Sequence, residues 1–357
     1  MYRKPPTIQD VARNARVSTA TVSRALTAPE RVSQVTRDRV LAAVQLTGYT
    51  PNLSARSLRQ QRAKSILAAV PGIGNPFYSN IVESVIQHAT ERGYGVLVAS
   101  RLPDNPASWL KEHFQSRRVD GMLVFDGGLD TKQLHSIASP GDDLPLVVSY
   151  DELPDMNLNS VITDNLQAAK RAVEHLIGLG HTALGYISSP SRNEAPSERS
   201  VGFRSALAQH GLEVREDWIF RGDYTMRTGQ DAGERFAEMR ERPTAIFAGN
   251  DEMAIAFIAA IRRYGFDCPA DVSVIGFDDI AISQSYAPRL TTMRQPREEM
   301  GRIATKLLID IIEREARNDL PAHIVLRSEL VERESTIPLR QSHTHLTGGK
   351  FGAMSLS

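Results

Sequence analysis

The spacing of apolar residues changes along the chain and separates a short helical head from a larger body. The first apolar residues recur at positions i, i+3, i+4 and i+7, which predicts a helix with one apolar stripe. They are Ile8, Val11, Ala12 and Ala15. Thr7 followed three positions later by Asp10 resembles a capping box, so we expect this helix to begin near Ile8.

A second helix is predicted directly after a tight turn. Ser18 can cap this helix, Val17 fills the turn, and Val22 and Leu26 point inward. The residues that face outward are small except for one long basic side chain: Thr19, Ala20, Thr21, Ser23 and Arg24. Such a surface lets a helix enter a DNA major groove deeply, so the pair is predicted to be a helix-turn-helix unit. An ordinary helical hairpin is the alternative.

A third helix and a marginal segment complete the predicted head. The third helix should begin near Ser33 and end at Gly48, with an apolar face that closes a three-helix core. That face is predicted to consist of Val35, Val40, Leu41 and Val44. Residues 51–63 then form a helix-compatible stretch with little apolar surface, which is marginal alone in water. We expect it to fold only when paired with its copy or laid against DNA.

Charge is distributed unevenly although the whole chain is neutral. Residues 1–62 contain eleven Lys or Arg against three acids, a net charge of +8, so the rest of the chain carries −8. A charge run alone is usually a solvated face. Joined to the two-helix pattern, the basic head is predicted to attract phosphates, while the acidic body avoids binding DNA along its side.

The body alternates apolar runs with amphipathic helical stretches in two sets, one from Ser65 to Tyr150 and one from Asp164 to Phe277. Strands alternating with crossover helices predict an α/β domain with parallel sheets in two Rossmann-like lobes. Strands at 290–294 and 323–331 and a helix at 297–315 would return the chain between the lobes. The predicted domains are a head at 1–50, a hinge helix at 51–63, a two-lobed domain at 64–338 and a disordered tail at 339–357.

Composition limits the class of protein further. A chain of 357 residues with 41% hydrophobic residues should form two or three domains. No apolar run reaches the roughly 18 residues that span a bilayer, and the N-terminus is polar and basic, so we expect a cytoplasmic protein. The single cysteine, Cys268, can form neither an internal disulfide nor a zinc site. No cofactor or metal is expected.

Three motifs of the head resemble the LacI/GalR family of bacterial repressors. They are Thr7-Ile8-x-Asp10-Val11-Ala12, Val17-Ser18-x-x-Thr21-Val22-Ser23-Arg24 and Pro51-Asn52-x-x-Ala55-Arg56-x-Leu58. The resemblance extends from residue 7 to about 338. The string from Val17 to Leu26, together with Gly222-Asp223-Tyr224 and the run from Pro288 to Thr292, looks closest to the cytidine-repressor branch. The family implies an all-α head, a hinge helix and a two-lobed domain like the periplasmic binding proteins.

The resemblance also implies which residues contact DNA. Thr19, Ala20 and Arg24 would face base edges, and four polar residues would contact phosphates or cap helices: Thr7, Ser18, Thr21 and Ser23. The hinge residues Asn52, Ala55 and Leu58 would pair across a homodimer, with Leu58 wedged into the minor groove of a near-palindromic operator. Leu58 as an ordinary apolar anchor is the alternative.

Polar and aromatic side chains gather where the predicted strands of the body end. Seven of these residues align with positions that contact effectors in the family: Phe77, Tyr78, Asp151, Arg199, Tyr224, Asn250 and Asp278. Because ligands of parallel sheets bind at the carboxyl ends of strands, we expect these groups in the cleft between the lobes. They suit an uncharged sugar or nucleoside. Asp151 departs from relatives that carry an aromatic residue here, and Asp164 either joins the site or caps the helix that starts at Asn165.

An enzyme is the rival interpretation, and its motifs are incomplete. Gly72-x-Gly74 follows a strand, but Phe77 is too large for the third small residue of a dinucleotide motif. The carboxylate pairs Asp251-Glu252 and Asp278-Asp279 lack a His or Cys at ligand spacing. We therefore expect an allosteric regulator whose effector re-angles the lobes and the paired hinges. Whether the effector releases DNA or acts as a co-repressor stays open.

Overall fold

The computed structural model describes residues 6–50, 62–100, 105–125, 129, 133, 136–137, 144–149, 158–188, 197–313 and 321–339. The chain divides into two units, Met1–Lys64 and Ser65–Ser357. Most of the predicted hinge and nearly all of the predicted tail lie outside the described residues. In the part that is described, no helix is long and apolar enough to cross a membrane.

The described part of the first unit contains the α-helices α1 (Ile8–Ala15), α2 (Thr19–Thr27) and α3 (Gln34–Thr47). The Asp10 carboxylate accepts hydrogen bonds from the Thr7 amide at 2.9 Å and the Thr7 hydroxyl at 2.7 Å. Ser18 Oγ accepts a hydrogen bond from the Thr21 amide at 3.1 Å, which caps α2. Gly48 ends α3 with a φ of +66°, a left-handed conformation that suits glycine. The predicted ends of these helices are therefore confirmed.

The core of the head is small, and its α3 face differs from the prediction. Its buried residues are Val11, Ala12, Ala15, Val22, Ala25, Val40 and Ala43. Val17, Leu26 and Val44 pack against this core as expected. Val35 and Leu41, predicted to face inward, are 69% and 44% exposed. At about 100° per residue, both lie 100° or more around the helix from Val40, which points into the core.

The second unit is built from strands and helices in alternation. Its strands are β1 (Ser65–Val70), β2 (Gly95–Ser100), β3 (Gly121–Val124), β4 (Leu146–Val148), β5 (Asn159–Thr163), β6 (Leu184–Ile187), β7 (Ile219–Phe220), β8 (Ala245–Ala248), β9 (Ser273–Asp278), β10 (Thr291–Arg294), β11 (His323–Leu326) and β12 (Glu329–Val331). Its helices are α4 (Pro76–Glu91), α5 (Pro106–Gln115), α6 (Asn165–Gly178), α7 (Glu198–Gln209), α8 (Met226–Glu238), α9 (Asp251–Arg262) and α10 (Arg297–Glu313).

These strands form two six-stranded sheets, one in each lobe. The first has the order β11-β5-β4-β3-β1-β2 and the second β12-β10-β9-β8-β6-β7. The pairings in the first sheet are parallel, and in the second only β10 with β12 is antiparallel. Helices α4 and α10 supply residues such as Ile81 and Leu308 to the core of the first lobe. The predicted α/β architecture with two lobes is confirmed.

Two strand predictions are corrected. The strand β5 was not predicted, because its sequence, Asn-Ser-Val-Ile-Thr, holds only two large apolar residues. The single strand predicted at 323–331 is two strands, since β11 joins the first sheet and β12 the second. Within the described ranges the chain therefore passes between lobes after β5, after β10 and after β11. The crossovers after β5 and after β11 are bonded to each other, because the Ser328 amide donates to Asp164 Oδ1 at 2.9 Å.

Candidate functional site

A cleft of about 660 Å³, including its open mouth, is lined by side chains from both lobes of the second unit. Six of the predicted residues come together there: Phe77, Tyr78, Arg199, Tyr224, Asn250 and Asp278. The cleft is also lined by Asn75, Ile81, Phe125, Ser149, Thr163, Gln295 and Met300.

The first lobe contributes an aromatic pair at the start of α4. Asn75 caps this helix, because its Oδ1 accepts a hydrogen bond from the Phe77 amide at 2.8 Å. The rings of Phe77 and Tyr78 meet edge to face, with centroids 4.9 Å apart. This geometry holds each ring in place and offers flat apolar surface to a ligand.

The second lobe contributes a buried guanidinium, Arg199, near the start of α7. The side chain is only 7% exposed, and Arg199 Nε donates to Asn165 Oδ1 at 2.9 Å and Nη1 to the Gly249 carbonyl at 2.6 Å. The Arg199 Cζ lies 3.8 Å from the centroid of the Phe277 ring. A buried cation needs such partners, which fix the direction of the guanidinium beside the cleft.

Asp278 supplies the opposite charge and ends β9 with a φ of +116°. Its Oδ1 lies 3.9 Å from Arg199 Nη1 and accepts a hydrogen bond from Gln295 Nε2 at 2.7 Å. Gln295 Oε1 accepts a hydrogen bond from Thr163 Oγ1 at 2.7 Å. A chain of polar contacts therefore runs from the first lobe to Arg199. Because the positive charge of Arg199 and the negative charge of Asp278 cancel, the cleft suits a neutral ligand with hydroxyl groups.

Asn250 organises the backbone around the cleft. Its Oδ1 caps α9 by accepting a hydrogen bond from the Met253 amide at 2.9 Å, and its Nδ2 donates to the Tyr224 carbonyl at 3.1 Å. Tyr224 has a φ of +68°, which a non-glycine residue adopts only when its surroundings hold it there. The side chain of Asn250 thus holds the backbone of Tyr224, whose ring also lines the cleft.

Asp251 lies behind the cleft and is fully buried. Its carboxylate accepts hydrogen bonds from Thr292 Oγ1 at 2.5 Å, Ser283 Oγ at 2.7 Å and the Ile280 amide at 2.9 Å. Burial raises the pKa of Asp251 to about 7, the charge of Asp278 adds to this increase, and the hydrogen bonds oppose it. A Cβ on Gly276 would lie 2.2 Å from Asp251 Oδ1, so only glycine leaves room for this carboxylate.

Of the two other predicted residues, Asp164 is not among the described residues that line the cleft. Asp164 makes an ion pair of 2.9 Å with Arg171 and accepts the Ser328 amide, and its side chain forms no cap on α6. The capping alternative is therefore wrong: the carboxylate turns toward the crossover after β11. Asp151 lies outside the described residues.

Seven lining residues were not predicted from the sequence, and three of them had a readable sign. Phe125, Ser149 and Gln295 directly follow β3, β4 and β10, so the rule that found Asp278 at the end of β9 applies to them as well. Thr163 ends β5, a strand that the apolar pattern did not indicate. Ile81 and Met300 require knowledge of how the helices pack, because they look like ordinary core residues.

In the head, the predicted DNA-facing residues lie on the accessible side of α2. Thr19, Ala20 and Arg24 are exposed, and Thr21 and Ser23 are half-buried. The hydroxyls of Ser18 and Thr21 lie 2.9 Å apart. Thr7 is exposed at the start of α1. The hinge residues Asn52, Ala55 and Leu58 lie outside the described residues.

A helix-turn-helix head joined to a two-lobed domain with a polar, aromatic cleft defines a DNA-binding transcriptional regulator with a ligand-binding domain. Comparison with known families agrees: residues 7–52 match bacterial regulatory proteins of the lacI family, and residues 173–336 match the periplasmic binding protein-like domain. The chain belongs to the lacI family.

Individual relatives match most of the chain. The HTH-type transcriptional repressor CytR of Escherichia coli (strain K12) is 37% identical over 305 residues, which cover 85% of this chain and 89% of that protein. The repressor PurR of Photobacterium profundum is 34% identical and covers 92% of this chain and 98% of its own length. A crystal structure of the lac repressor dimer bound to operator and the anti-inducer ONPF superposes with a TM-score of 0.85, at 27% identity over 94% of this chain and all of that one.

Proposed function

We propose that this protein represses transcription by binding a near-palindromic operator as a homodimer, and that a sugar or nucleoside in the cleft changes its operator affinity. The observation that carries the ligand proposal is the buried pair Arg199 and Asp278, which presents balanced charges beside aromatic rings. Such a site binds hydroxyl groups through paired hydrogen bonds and a sugar or base through flat faces. Asp151 stays a predicted member of the site, whereas the carboxylate of Asp164 is bonded to Arg171 and the Ser328 amide.

The DNA-binding roles belong to this proposal. Thr19, Ala20 and Arg24 read base edges, and the hydroxyl residues Thr7, Ser18, Thr21 and Ser23 contact phosphates or cap helices. Asn52, Ala55 and Leu58 belong to a hinge helix at 51–63 that forms when two copies meet on the operator, with Leu58 inserted into the minor groove. The operator-bound dimer of the lac repressor supports this arrangement by similarity.

The rest of the chain has corresponding roles. Residues 1–50 form the DNA-binding head, and residues 64–338 bind the effector and dimerise. The protein works in the cytoplasm, where its operator is. It is not an enzyme, an inference that rests on relatives that are transcriptional regulators.

Homodimerisation is supported by an exposed apolar edge on the first sheet. All six residues of β2 are at least partly exposed, and Leu97 and Val98 are 44% and 40% exposed. An unpaired apolar edge strand is a liability unless another chain covers it. We expect a second copy of this chain to cover the β2 edge, since a palindromic operator needs two heads in a symmetric arrangement.

Ligand control follows from the position of the cleft between lobes. A ligand that binds one arrangement of the lobes better than the other changes how far apart the paired hinges lie, and so how readily they fold on DNA. Coupling of this kind is typically about 1–3 kcal/mol, or roughly 5- to 150-fold in affinity. The ligand induces transcription if it favours the DNA-free arrangement, and the alternative is a co-repressor that favours the bound one.

A thermal-shift screen of sugars and nucleosides tests the cleft, because a ligand that binds only the folded state raises the melting temperature. We expect at least one compound to raise the melting temperature of the natural protein. The same compound should leave the melting temperature of Tyr78→Ala unchanged, because this variant lacks one ring of the aromatic pair. Operator binding is then measured by gel shift with and without that compound. A shift that survives both Tyr78→Ala and Asp278→Asn would place the ligand elsewhere, and an unchanged operator affinity would contradict ligand control.

The hinge is tested separately with Leu58→Ala. We expect this variant to lose operator bending and part of its affinity, because the wedge that opens the central base step is gone. Circularly permuted operator fragments measure the bend. If bending and affinity equal those of the natural protein, Leu58 is only an apolar anchor.

A further inference from the structure

The crossover between β10 and α10 carries two side chains that join the lobes on either side of Pro296. Gln295 is buried and connects Asp278 of the second lobe to Thr163 of the first. Arg297 begins α10 and is half-buried. Gln295 lines the cleft, whereas Arg297 is not among its lining residues.

Helix α10 is fixed to the first lobe at this end. Ser84 Oγ on α4 donates a hydrogen bond to the Glu298 carbonyl at 2.7 Å. Gly301 lies so close to α4 that a Cβ would be 2.7 Å from the Ile81 carbonyl oxygen. The start of α10, and with it the backbone of Arg297, therefore moves with α4 and the first lobe.

The guanidinium of Arg297 reaches from this fixed base to the second lobe. Its Nη2 donates to the Asp279 carbonyl at 2.6 Å, and its Nη1 donates a longer hydrogen bond to the Pro76 carbonyl at 3.4 Å. Asp279 is itself held firmly, because its carboxylate pairs with Arg333 at 2.6 Å and Arg294 at 2.7 Å. One side chain thus bonds to the backbone of both lobes.

Both carbonyls stand directly beside residues of the cleft. Pro76 precedes Phe77, which belongs to the first wall, and Asp279 follows Asp278, which belongs to the second. A guanidinium has a fixed planar geometry, so it sets the distance between two acceptors more strictly than a flexible ammonium does.

We propose that Arg297 is a positioning residue that sets the separation of the two walls of the cleft by bonding to the Asp279 and Pro76 carbonyls. That this separation controls effector affinity rests on the function proposed above. The separation itself does not require a ligand, so it is tested on the full-length protein without any ligand added.

Hydrogen–deuterium exchange measures the two attachment points. The reporter segments are 76–81 and 278–284, whose amides include Tyr78, bonded to the Asn75 carbonyl, and Ile280, bonded to Asp251. We compare the natural protein with Arg297→Met, which keeps an unbranched apolar stem and cannot donate, and with Arg297→Lys, which keeps the charge and a donor. Arg302→Met is the matched control, since Arg302 lies on α10, is 46% exposed and pairs with Glu299.

In Arg297→Met we expect both segments to exchange roughly tenfold faster, as the loss of one charge-assisted hydrogen bond implies. Arg297→Lys should recover only part of the protection, because a flexible ammonium sets the separation of the two carbonyls less strictly, and Arg302→Met should match the natural protein. Unchanged exchange in both segments would overturn the proposal, as would a uniform increase that includes the central strands β3 and β8, which indicates general destabilisation. Because no ligand is present, a failed ligand screen leaves this result interpretable.

Discussion

Asp251 determines much of the second wall of the cleft without lining it. Its carboxylate ties the first turn of α9 to Ile280 and Ser283 on one side and to Thr292 of β10 on the other. The segment it holds includes Asp278, whose positive φ requires support from its surroundings. A buried carboxylate therefore acts here as the attachment that shapes a binding residue.

The titration of Asp251 should be visible in the stability of the protein. The pKa of Asp251 is raised to about 7 by burial, whereas an exposed aspartate titrates near 3.9. The contribution of Asp251 to the free energy of unfolding is therefore fully present below about pH 4 and is lost as the pH rises through about 7. We expect the free energy of unfolding of the natural protein, relative to Asp251→Asn, to fall across that window in urea titrations. A difference that is constant from pH 4 to 7.5 would contradict the prediction.

Single residues also show how far the sequence determines the site. Asn250 and Asp278 could be predicted because each follows a clear apolar strand, and the carboxyl ends of parallel strands converge. Asp164 also follows a strand, but its carboxylate is taken by Arg171 and Ser328, which come from distant positions along the chain. Tertiary partners decide which strand-end residue faces a cleft, and no local pattern records them.

At the level of elements, two histidines hold the C-terminal segment 332–339 against the second lobe. His181 is 2% exposed, and its ring nitrogens lie 2.9 Å from Thr244 Oγ1 and 3.0 Å from the Ile337 carbonyl. His175 Nε2 lies 3.1 Å from Thr336 Oγ1. Burial lowers the pKa of both histidines, and the nearby Glu332 partly opposes the shift at His175.

Acid should therefore loosen this segment. Because the folded-state pKa of each histidine is lowered, their contribution to stability is full above about pH 6.5 and is lost as the pH falls below that value. We expect the free energy of unfolding to decrease between pH 7 and 5, and His181→Gln to show a smaller decrease. The test is equilibrium unfolding at several pH values. An equally steep decrease in His181→Gln would assign the acid sensitivity to other groups.

The helix α2, which we propose reads base edges, provides a second prediction at this scale. Arg24 is exposed on α2, and its loss should cost about 1–3 kcal/mol of operator binding and relax base preference at one position of each half-site. The control is Arg13→Ala, since Arg13 on α1 has a side chain 79% exposed that lies 3.6 Å from Asp10. Gel shifts against operators mutated at each position measure the effect. A uniform loss across all operators would make Arg24 a phosphate contact.

Elements with a strong local signature were predictable, and those defined by the sheet were not. The start of α1 follows from Thr7 and Asp10, which interact within one turn. The strand β5 is recognisable only through its neighbours β4 and β11 and through the core of the first lobe, which buries Val161. The division of 323–331 between two sheets depends on the crossover at Ser328, which bonds to Asp164 far earlier in the chain.

For the whole molecule, the exposed edge of the first sheet is expected to determine assembly. Leu97 on β2 is 44% exposed at one edge, and Val325 on β11 is 56% exposed at the other. The exposed apolar residues of β2 continue onto α4, where Ile86 is 44% exposed, and α4 packs on the same strand. This broader apolar surface makes the β2 edge the better candidate for contact with a second copy.

Leu97→Lys should therefore convert the dimer to a monomer, because an ammonium in an apolar interface loses its hydration without gaining a partner. Val325→Lys makes the same change at the opposite edge and should leave the dimer intact. Sedimentation velocity over a range of concentrations measures the assembly state of both variants.

A monomer reads only one half-site, so the affinity of Leu97→Lys for a palindromic operator should fall as well. Its binding should also lose dependence on half-site spacing. A Leu97→Lys variant that stays dimeric while Val325→Lys dissociates would move the interface to the β11 edge.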